Sequence, residues 1–360
     1  MRGMLAVLVA VAALAAAAPA AGQDLDFRGQ AIVPTGTTFA GTTVGGLSSI
    51  TYDERLEVYY VVSDDQARAR FYTVALDIGD GRLSAGDVRF EAVTTLLAPN
   101  GAPYPPSSLD PEGLALTKDR ELIFTSEGLP ASMIDPFVRR YSLGGAFLGS
   151  LPVPGAFLVT ADQSSGVRPN LGFESAGVAP NGRFAFVATE NALYQDGPAA
   201  TVGAGSPARI LRYNLQRREL DRLYVYWTDP IAEPPVPANQ FAVNGLVELL
   251  PLNNQFLLAM ERSFSVGAPG TGNTIKLYDV ALPGADDVNG FDSLATLLGS
   301  IQPVEKTLLL DLDALGIPLD NVEGMTFGPR LERGRRSVVL VSDNNFSPAA
   351  FTQFLLFAVS

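Results

Sequence analysis

Five times along the chain a short apolar strand, opened by a glycine or an acid-glycine pair, is followed after a brief turn by a second apolar strand that ends in acids. The second strands are the most regular part: Tyr59-Tyr60-Val61-Val62-Ser63-Asp64-Asp65, Leu122-Ile123-Phe124-Thr125-Ser126-Glu127, Phe184-Ala185-Phe186-Val187-Ala188-Thr189-Glu190, Phe256-Leu257-Leu258-Ala259-Met260-Glu261-Arg262 and Val338-Val339-Leu340-Val341-Ser342-Asp343-Asn344. Counted from Leu47, Leu114, Ala176, Leu246 and Met325 on the first strands, the units are spaced by 67, 62, 70 and 79 residues. A period of this length built from strands alone points to radially arranged sheets, an all-β propeller.

Each unit contains enough strand-like sequence for a four-stranded blade. After Asp65 come Arg70–Leu76 and Val88–Val93, separated by Gly79-Asp80-Gly81, a hairpin signal. The second unit adds Phe137–Leu143 and Phe147–Leu151, the third Arg209–Tyr213 and Leu223–Trp227, the fourth Ile275–Val280 and Lys306–Leu312. The fifth shows only Gln353–Val359 before the chain ends, while Phe27–Val33 near the start has no partner in its own neighbourhood. Closing the ring by pairing that N-terminal strand into the last blade leaves no loose seam. The repeat count gives five blades; the stretched spacing around Ala281 to Leu310 leaves room for a sixth.

Residues 1–22 read as an export signal: Arg2, an apolar run from Met4 to Ala18 too short to span a bilayer comfortably, then Ala18-Pro19-Ala20 as a cleavage pattern. Residues 23–360 then form one domain, exported to the periplasm or secreted, with no membrane association after signal cleavage. The chain has no cysteine and no histidine. That excludes disulfides, thiol-anchored lipidation, Ser-His-Asp and Cys-His catalysis and histidine metal sites. With 25 basic against 38 acidic residues the formal net charge is −13, which disfavours nucleic acid and anionic membrane surfaces as partners.

In a propeller the first strand of each blade lines the central channel, and the second returns to the same mouth. Asp110, Glu112, Glu174 and Glu323 stand at the starts of first strands; Asp64, Asp65, Glu127, Glu190, Glu261, Asp343 and Asn344 stand at the ends of second strands. Two carboxylates about 4 Å apart repel by about 4 kcal/mol at an intermediate dielectric. A hard cation with oxygen ligands such as Ca²⁺, neutralisation by raised pKa, or arginine must offset that. The candidate metal ligands are Asp64, Glu112, Glu127, Glu174, Glu190, Glu261, Glu323 and Asp343. Arg262 is the candidate substrate-binding residue, because its planar fork matches two oxygens of a phosphate ester, with Arg139, Arg140 and Arg168 in nearby repeat loops. The Glu-Gly pairs read equally well as turn chemistry, carboxylates capping backbone amides. Asp286-Asp287-Val288-Asn289-Gly290 has calcium-loop composition without the calcium-loop spacing and reads as a solvated turn.

The ensemble of Gly46-Leu47-Ser48-Ser49-Ile50, Asp110-Pro111-Glu112-Gly113-Leu114, Gly172-Phe173-Glu174-Ser175, Asn244-Gly245-Leu246-Val247-Glu248, Met260-Glu261-Arg262 and Asn321-Val322-Glu323-Gly324 resembles the phytase-like domain family, labelled "esterase-like activity of phytase", over about Gly41 to Ser360. The resemblance implies an exported β-propeller with hydrolase activity on phosphoric or other esters, calcium-dependent as in the six-bladed propeller phytases. The expectation is therefore a monomer acting on a small-molecule ester or phosphoester. The competing expectation is a non-catalytic propeller that binds a sugar, peptide or envelope protein through its long Pro/Gly-rich loops and the rim aromatics Tyr104, Phe157, Tyr194 and Trp227.

Overall fold

The computed structural model describes residues 24–359, so the expected export signal lies outside the described residues. Five four-stranded antiparallel sheets are arranged as blades. Blade 1 runs from the innermost strand Ser49–Asp53 outward through Val58–Ser63, Arg70–Leu76 and Val88–Thr95. Blade 2 is Pro111–Leu116, Glu121–Ser126, Phe137–Ser142 and Phe147–Leu151; blade 3 is Phe173–Val178, Phe184–Thr189, Pro207–Asn214 and Glu219–Trp227. Blade 4 is Ala242–Pro251, Phe256–Ser265, Asn273–Ala281 and Glu305–Asp311. Blade 5 is Asn321–Arg330, Arg336–Asp343 and Thr352–Val359, completed on its outer edge by Leu25–Val33. The first strand of every blade contacts the first strands of both neighbours in a closed cycle, which makes these five strands the wall of the axis.

The ring closes as the sequence requires. Leu25–Val33 pairs antiparallel with Thr352–Val359, from Leu25 opposite Val359 to Val33 opposite Thr352, so the first and last strands of the described residues share one sheet. Among the described residues no sixth blade forms in the long stretch before Glu305. Residues 282–304 instead fold back over the outer strand of blade 3: the Val288 and Val304 amides donate to the Leu223 and Val225 carbonyls at 2.8 and 2.9 Å. The buried ion pair of Arg209 with Asp196 pins the excursion, Arg209 donating to the Phe291 carbonyl at 2.9 Å and Asp196 accepting the Leu294 amide at 2.8 Å.

The second strands are apolar at consecutive positions, without the alternation of a half-exposed sheet, because each blade is covered on both faces by its neighbours. Val58–Ser63 and Phe184–Thr189 are buried at every residue. The core accordingly divides into five apolar clusters, one in each gap between adjacent blades. Outer strands such as Val88–Thr95 alternate in exposure, as a strand with one wet face does. Among the described residues no helix is long and apolar enough to cross a membrane.

Candidate functional site

Four of the five first strands carry a β-bulge at the point where they enter the axis: Pro111/Leu114, Phe173/Ser175, Leu246/Glu248 and Val322/Gly324. A bulge sets two residues against one on the partner strand and re-aims a side chain. In blades 2, 3 and 5 the re-aimed residues are Glu112, Glu174 and Glu323. At the same level the second strands end in Asp64, Glu127, Glu190 and Asp343, whose backbones pair with the residues just before the bulges or their counterparts. These seven carboxyl groups, joined by Asp110 and Asp320, line one cavity of about 760 Å³ at one mouth of the channel.

The structure thus brings together seven of the eight acids expected from the repeat. It separates Glu261 from them. In blade 4 Gly245 pairs with Arg262 and Leu246 with Glu261, so Arg262, not Glu261, occupies the position held by Asp64, Glu127, Glu190 and Asp343 elsewhere. Successive side chains of a strand point to opposite faces, so the one-residue offset turns Glu261 away from the mouth. Glu261 instead accepts from Tyr226 Oη at 2.8 Å, the Asp229 amide at 2.7 Å and Asn244 Nδ2 at 2.8 Å, and forms an ion pair with Lys306. Its oxygens are engaged between blades 3 and 4, and it does not line the acidic cavity.

Among the described residues Arg262 is the single cation lining the cavity. Its Nη2 donates to Glu323 at 2.8 Å and stands 3.6 Å from Glu190 Oε1. The other arginines expected nearby are engaged elsewhere. Arg168 donates to the Ala192 and Gly197 carbonyls, Arg139 to Tyr104 Oη, and Arg140 to Glu121. Asp65 forms an ion pair with Arg70, and Asn344 accepts the Gly46 amide at 3.1 Å to join blade 5 to blade 1.

The carboxyl groups are crowded. An oxygen from each of Asp110, Glu112 and Glu127 falls within 4.8 Å of the others, and the same holds for Glu127, Glu174 and Glu190. Glu127 belongs to both trios. Its approach depends on glycine in the next blade: a Cβ on Gly172 would stand 2.6 Å from the Glu127 carbonyl oxygen, and the Gly172 amide donates to Glu127 Oε1 at 2.8 Å. Gly245 leaves room for Glu190 in the same way, since a Cβ there would come within 2.2 Å of that side chain. The recurring glycine therefore fits acids into the ring as well as serving turns.

Burial followed by mutual repulsion pushes these acids up the pH scale. Burial, then Asp110 and Glu323, raises Asp64 to about 7. Burial raises Asp110 to about 6 against a hydrogen bond from Gln66, Glu127 to about 8, and Glu190 to about 7 even with Arg262 beside it. Glu112, Glu174 and Asp343 are driven well above the carboxylate range by burial and their neighbours' charges. Among the described residues Asp64 Oδ1 is buried without a hydrogen-bond partner, and Glu190 Oε1 has only the Arg262 guanidinium 3.6 Å away. An anionic oxygen left so calls for a cation or a proton. Clustered oxygen donors without nitrogen or sulfur suit a hard cation of the Ca²⁺ type.

A further residue, not expected from the repeat, determines the depth of the site. The blade 4 bulge places Val247 where other blades carry the glutamates, and Glu248 where they carry Gly113, Ser175 and Gly324. Glu248 reaches across the axis to accept from Ser49 Oγ of blade 1 at 2.6 Å, the Leu249 amide at 3.0 Å, and the amides of Ala176 in blade 3 and Met325 in blade 5. Burial raises it to about 8. It divides the acidic mouth from a second cavity of about 400 Å³ on the opposite side, lined by Ile50, Leu114, Leu249 and Met325 among others.

A family model described as "Phytase-like: Esterase-like activity of phytase" matches residues 42–346. The chain belongs to the phytase-like family. Among curated proteins none matches it. Similar solved structures include an endo-arabinase from Bacteroides thetaiotaomicron VPI-5482, 12% identical, covering 91% of this chain and 96% of that one at a TM-score of 0.43. A luciferin-regenerating enzyme is 10% identical, with 88% and 92% covered and a TM-score of 0.40. The Dos1 propeller is 6% identical, with 87% and 68% covered and a TM-score of 0.38. Membership of the phytase-like family marks the chain as a hydrolase-like propeller, and its acidic clusters are of a kind that can bind metal.

Of the rim aromatics, Phe157 is fully buried in the core between blades 2 and 3, Tyr104 and Tyr194 are half-buried and hydrogen-bonded to Tyr141 and Gln163, and Trp227 is exposed. Asp286 and Asp287 cap backbone amides of Gln302, Leu223 and Asn289, which makes that segment turn chemistry.

Proposed function

We propose that this phytase-like protein is an exported, Ca²⁺-dependent hydrolase of phosphoric or other esters whose centre is the acidic mouth. The observation that carries the proposal is the pair of carboxylate trios, Asp110/Glu112/Glu127 and Glu127/Glu174/Glu190, meeting at one shared side chain. Those residues would hold the metal, with Asp64, Glu323 and Asp343 completing the charge around it. When bound, divalent cations supply charge neutralisation at the ester oxygens and lower the pKa of coordinated water.

The remaining roles fall to the chain's own groups. Arg262, fixed by Glu323 and Glu190, directs its guanidinium at one anionic head group and orients it. Glu248 seals the floor, so ester and water enter and product leaves by the same mouth.

The test is metal analysis of the purified protein together with turnover of a panel of phosphomonoesters, phosphodiesters and carboxylic esters. Bound calcium, activity abolished by chelator and restored by Ca²⁺, and its loss in Glu127→Gln are expected. Turnover indifferent to both chelator and Glu127→Gln would overturn the proposal.

A further inference from the structure

Resting on the ester-hydrolase reading of the acidic mouth, we infer that the pocket selects an ester with one anionic head group and an apolar aryl or medium-length alkyl arm, and rejects polyanions. The asymmetry of the pocket wall carries this. Blades 1, 2, 3 and 5 present carboxyl groups, whereas blade 4 presents Arg262 and above it Val243, Phe264 and Phe241.

The register explains why these four form one track. Gly245 pairs with Arg262 and Val243 with Phe264, so Val243 and Phe264 lie two residues nearer the rim on the same face as Arg262. Phe241 lies two residues further out again. Two residues of strand advance about 7 Å, so the apolar track begins about 7 Å above the guanidinium's level and reaches about 14 Å. Phe241 is 62% exposed and packs its ring 6.2 Å from that of Phe264, so the two offer a sidewall that is open to the cavity. A substrate whose anionic end meets Arg262 would lay its alcohol or acyl arm along that wall.

Charge sets the other half of the preference. Among the described residues Arg262 is the single cation lining a pocket that also holds nine carboxyl groups, and none of the chain's lysines, Lys118, Lys276 and Lys306, lines it. Two divalent cations would neutralise about half of those groups, so a second or third phosphate on the ligand would meet uncompensated carboxylates at a few ångströms. One anionic group is accommodated; several are repelled.

The experiment is calorimetric titration of the full mature protein, with Ca²⁺ present, using phenylphosphonate and methylphosphonate, which share a head group and differ in the apolar arm. The expected result is tighter binding of phenylphosphonate by about 10-fold, for roughly 60 Å² of apolar surface covered. Phe241→Ala combined with Phe264→Ala should lower phenylphosphonate to the level of methylphosphonate and leave methylphosphonate unchanged. The single variant Phe241→Ala, at an exposed position, guards against loss of folding in the double variant and should remove part of the difference. Equal affinities in the wild type, or a preference that survives both variants, would overturn this inference alone. A phenyl preference without turnover of phenyl phosphate would overturn the hydrolase reading while leaving the selectivity standing. Binding of neither probe would overturn both.

Discussion

Arg262 occupies in the fourth blade the place that Glu190 holds in the third, and the two side chains face each other with Nη2 3.6 Å from Oε1. One position in a fivefold repeat has therefore changed sign, from acid to base. The carboxylates Glu190 and Glu323 hold the guanidinium firmly protonated.

Replacing that cation should separate two properties that normally move together. In Arg262→Gln the neighbouring carboxylates lose their internal counter-charge, so Ca²⁺ affinity should rise several-fold. Turnover should nevertheless fall about 100-fold in kcat/KM, the cost of losing one oriented charge donor. Arg262→Lys should recover only part of the rate, since an ammonium lacks the fork. Calorimetry with Ca²⁺ beside steady-state kinetics measures both, and parallel loss of metal and rate would refute the assignment.

Glu127 belongs to both carboxylate trios, whereas Asp110 and Glu190 belong to one each. Metal stoichiometry by calorimetry or atomic emission should therefore drop by two ions in Glu127→Gln and by one in Asp110→Asn or Glu190→Gln. Equal loss from all three variants would mean that the trios do not act as two sites joined by Glu127.

The five-bladed fold was legible because each blade is covered on both faces, which turns its second strand into an unbroken apolar run such as Tyr59–Val62 or Val338–Val341. Closure was legible from the unpaired Phe27–Val33. The register of blade 4 was not. Glu261 and Arg262 are adjacent, both are plausible at a strand end, and the pairing of Gly245 with Arg262, next to the bulge between Leu246 and Glu248, decides which faces the mouth. The same bulge hid Glu248, whose partners Ser49, Ala176 and Met325 lie in three other blades. Phe241 and Asp320 reach the pocket from positions outside the motif, where no recurring spacing marks them.

Without metal, stability should fall as pH rises across neutrality. The folded-state pKa values of Asp110, Asp64, Glu190 and Glu127, about 6, 7, 7 and 8, exceed those of unfolded carboxyl groups, near 4. The native state then binds more protons than the unfolded chain between about pH 4 and 8. The contribution is complete below pH 4 and is lost as pH passes through 6 to 8. Thermal denaturation in chelator should show a Tm lower by roughly 5 °C at pH 8.5 than at pH 5. Saturating Ca²⁺ should remove most of that difference, and a flat or rising profile in chelator would contradict it.

The carboxyl group of Glu248, raised to about 8, is largely protonated at neutral pH, so its neutral isostere should be tolerated. Glu248→Gln is expected to change unfolding free energy by less than about 1 kcal/mol at pH 7. Glu248→Ala removes the acceptor for Ser49, Ala176 and Met325 and opens a gap on the axis, which should cost about 3 kcal/mol. Denaturant melts of both variants test this, and equal destabilisation would show that Glu248 is held there as an anion.

Leu25–Val33 pairs with Thr352–Val359 at eight positions and buries Ala31 and Val33 in the cluster between blades 5 and 1, while Phe27 packs on Phe357 with ring centroids 5.5 Å apart. A variant that begins at residue 34 would expose the Thr352–Val359 edge, a long apolar strand whose free amides and carbonyls invite pairing with another molecule. The lost apolar burial alone amounts to about 3 kcal/mol. The expected outcome is a lower Tm accompanied by concentration-dependent light scattering, and a synthetic peptide of residues 24–33 added in trans should suppress the scattering by reoccupying the edge. If the truncated protein melts as the intact one does and stays monomeric, the N-terminal strand is not what closes the ring.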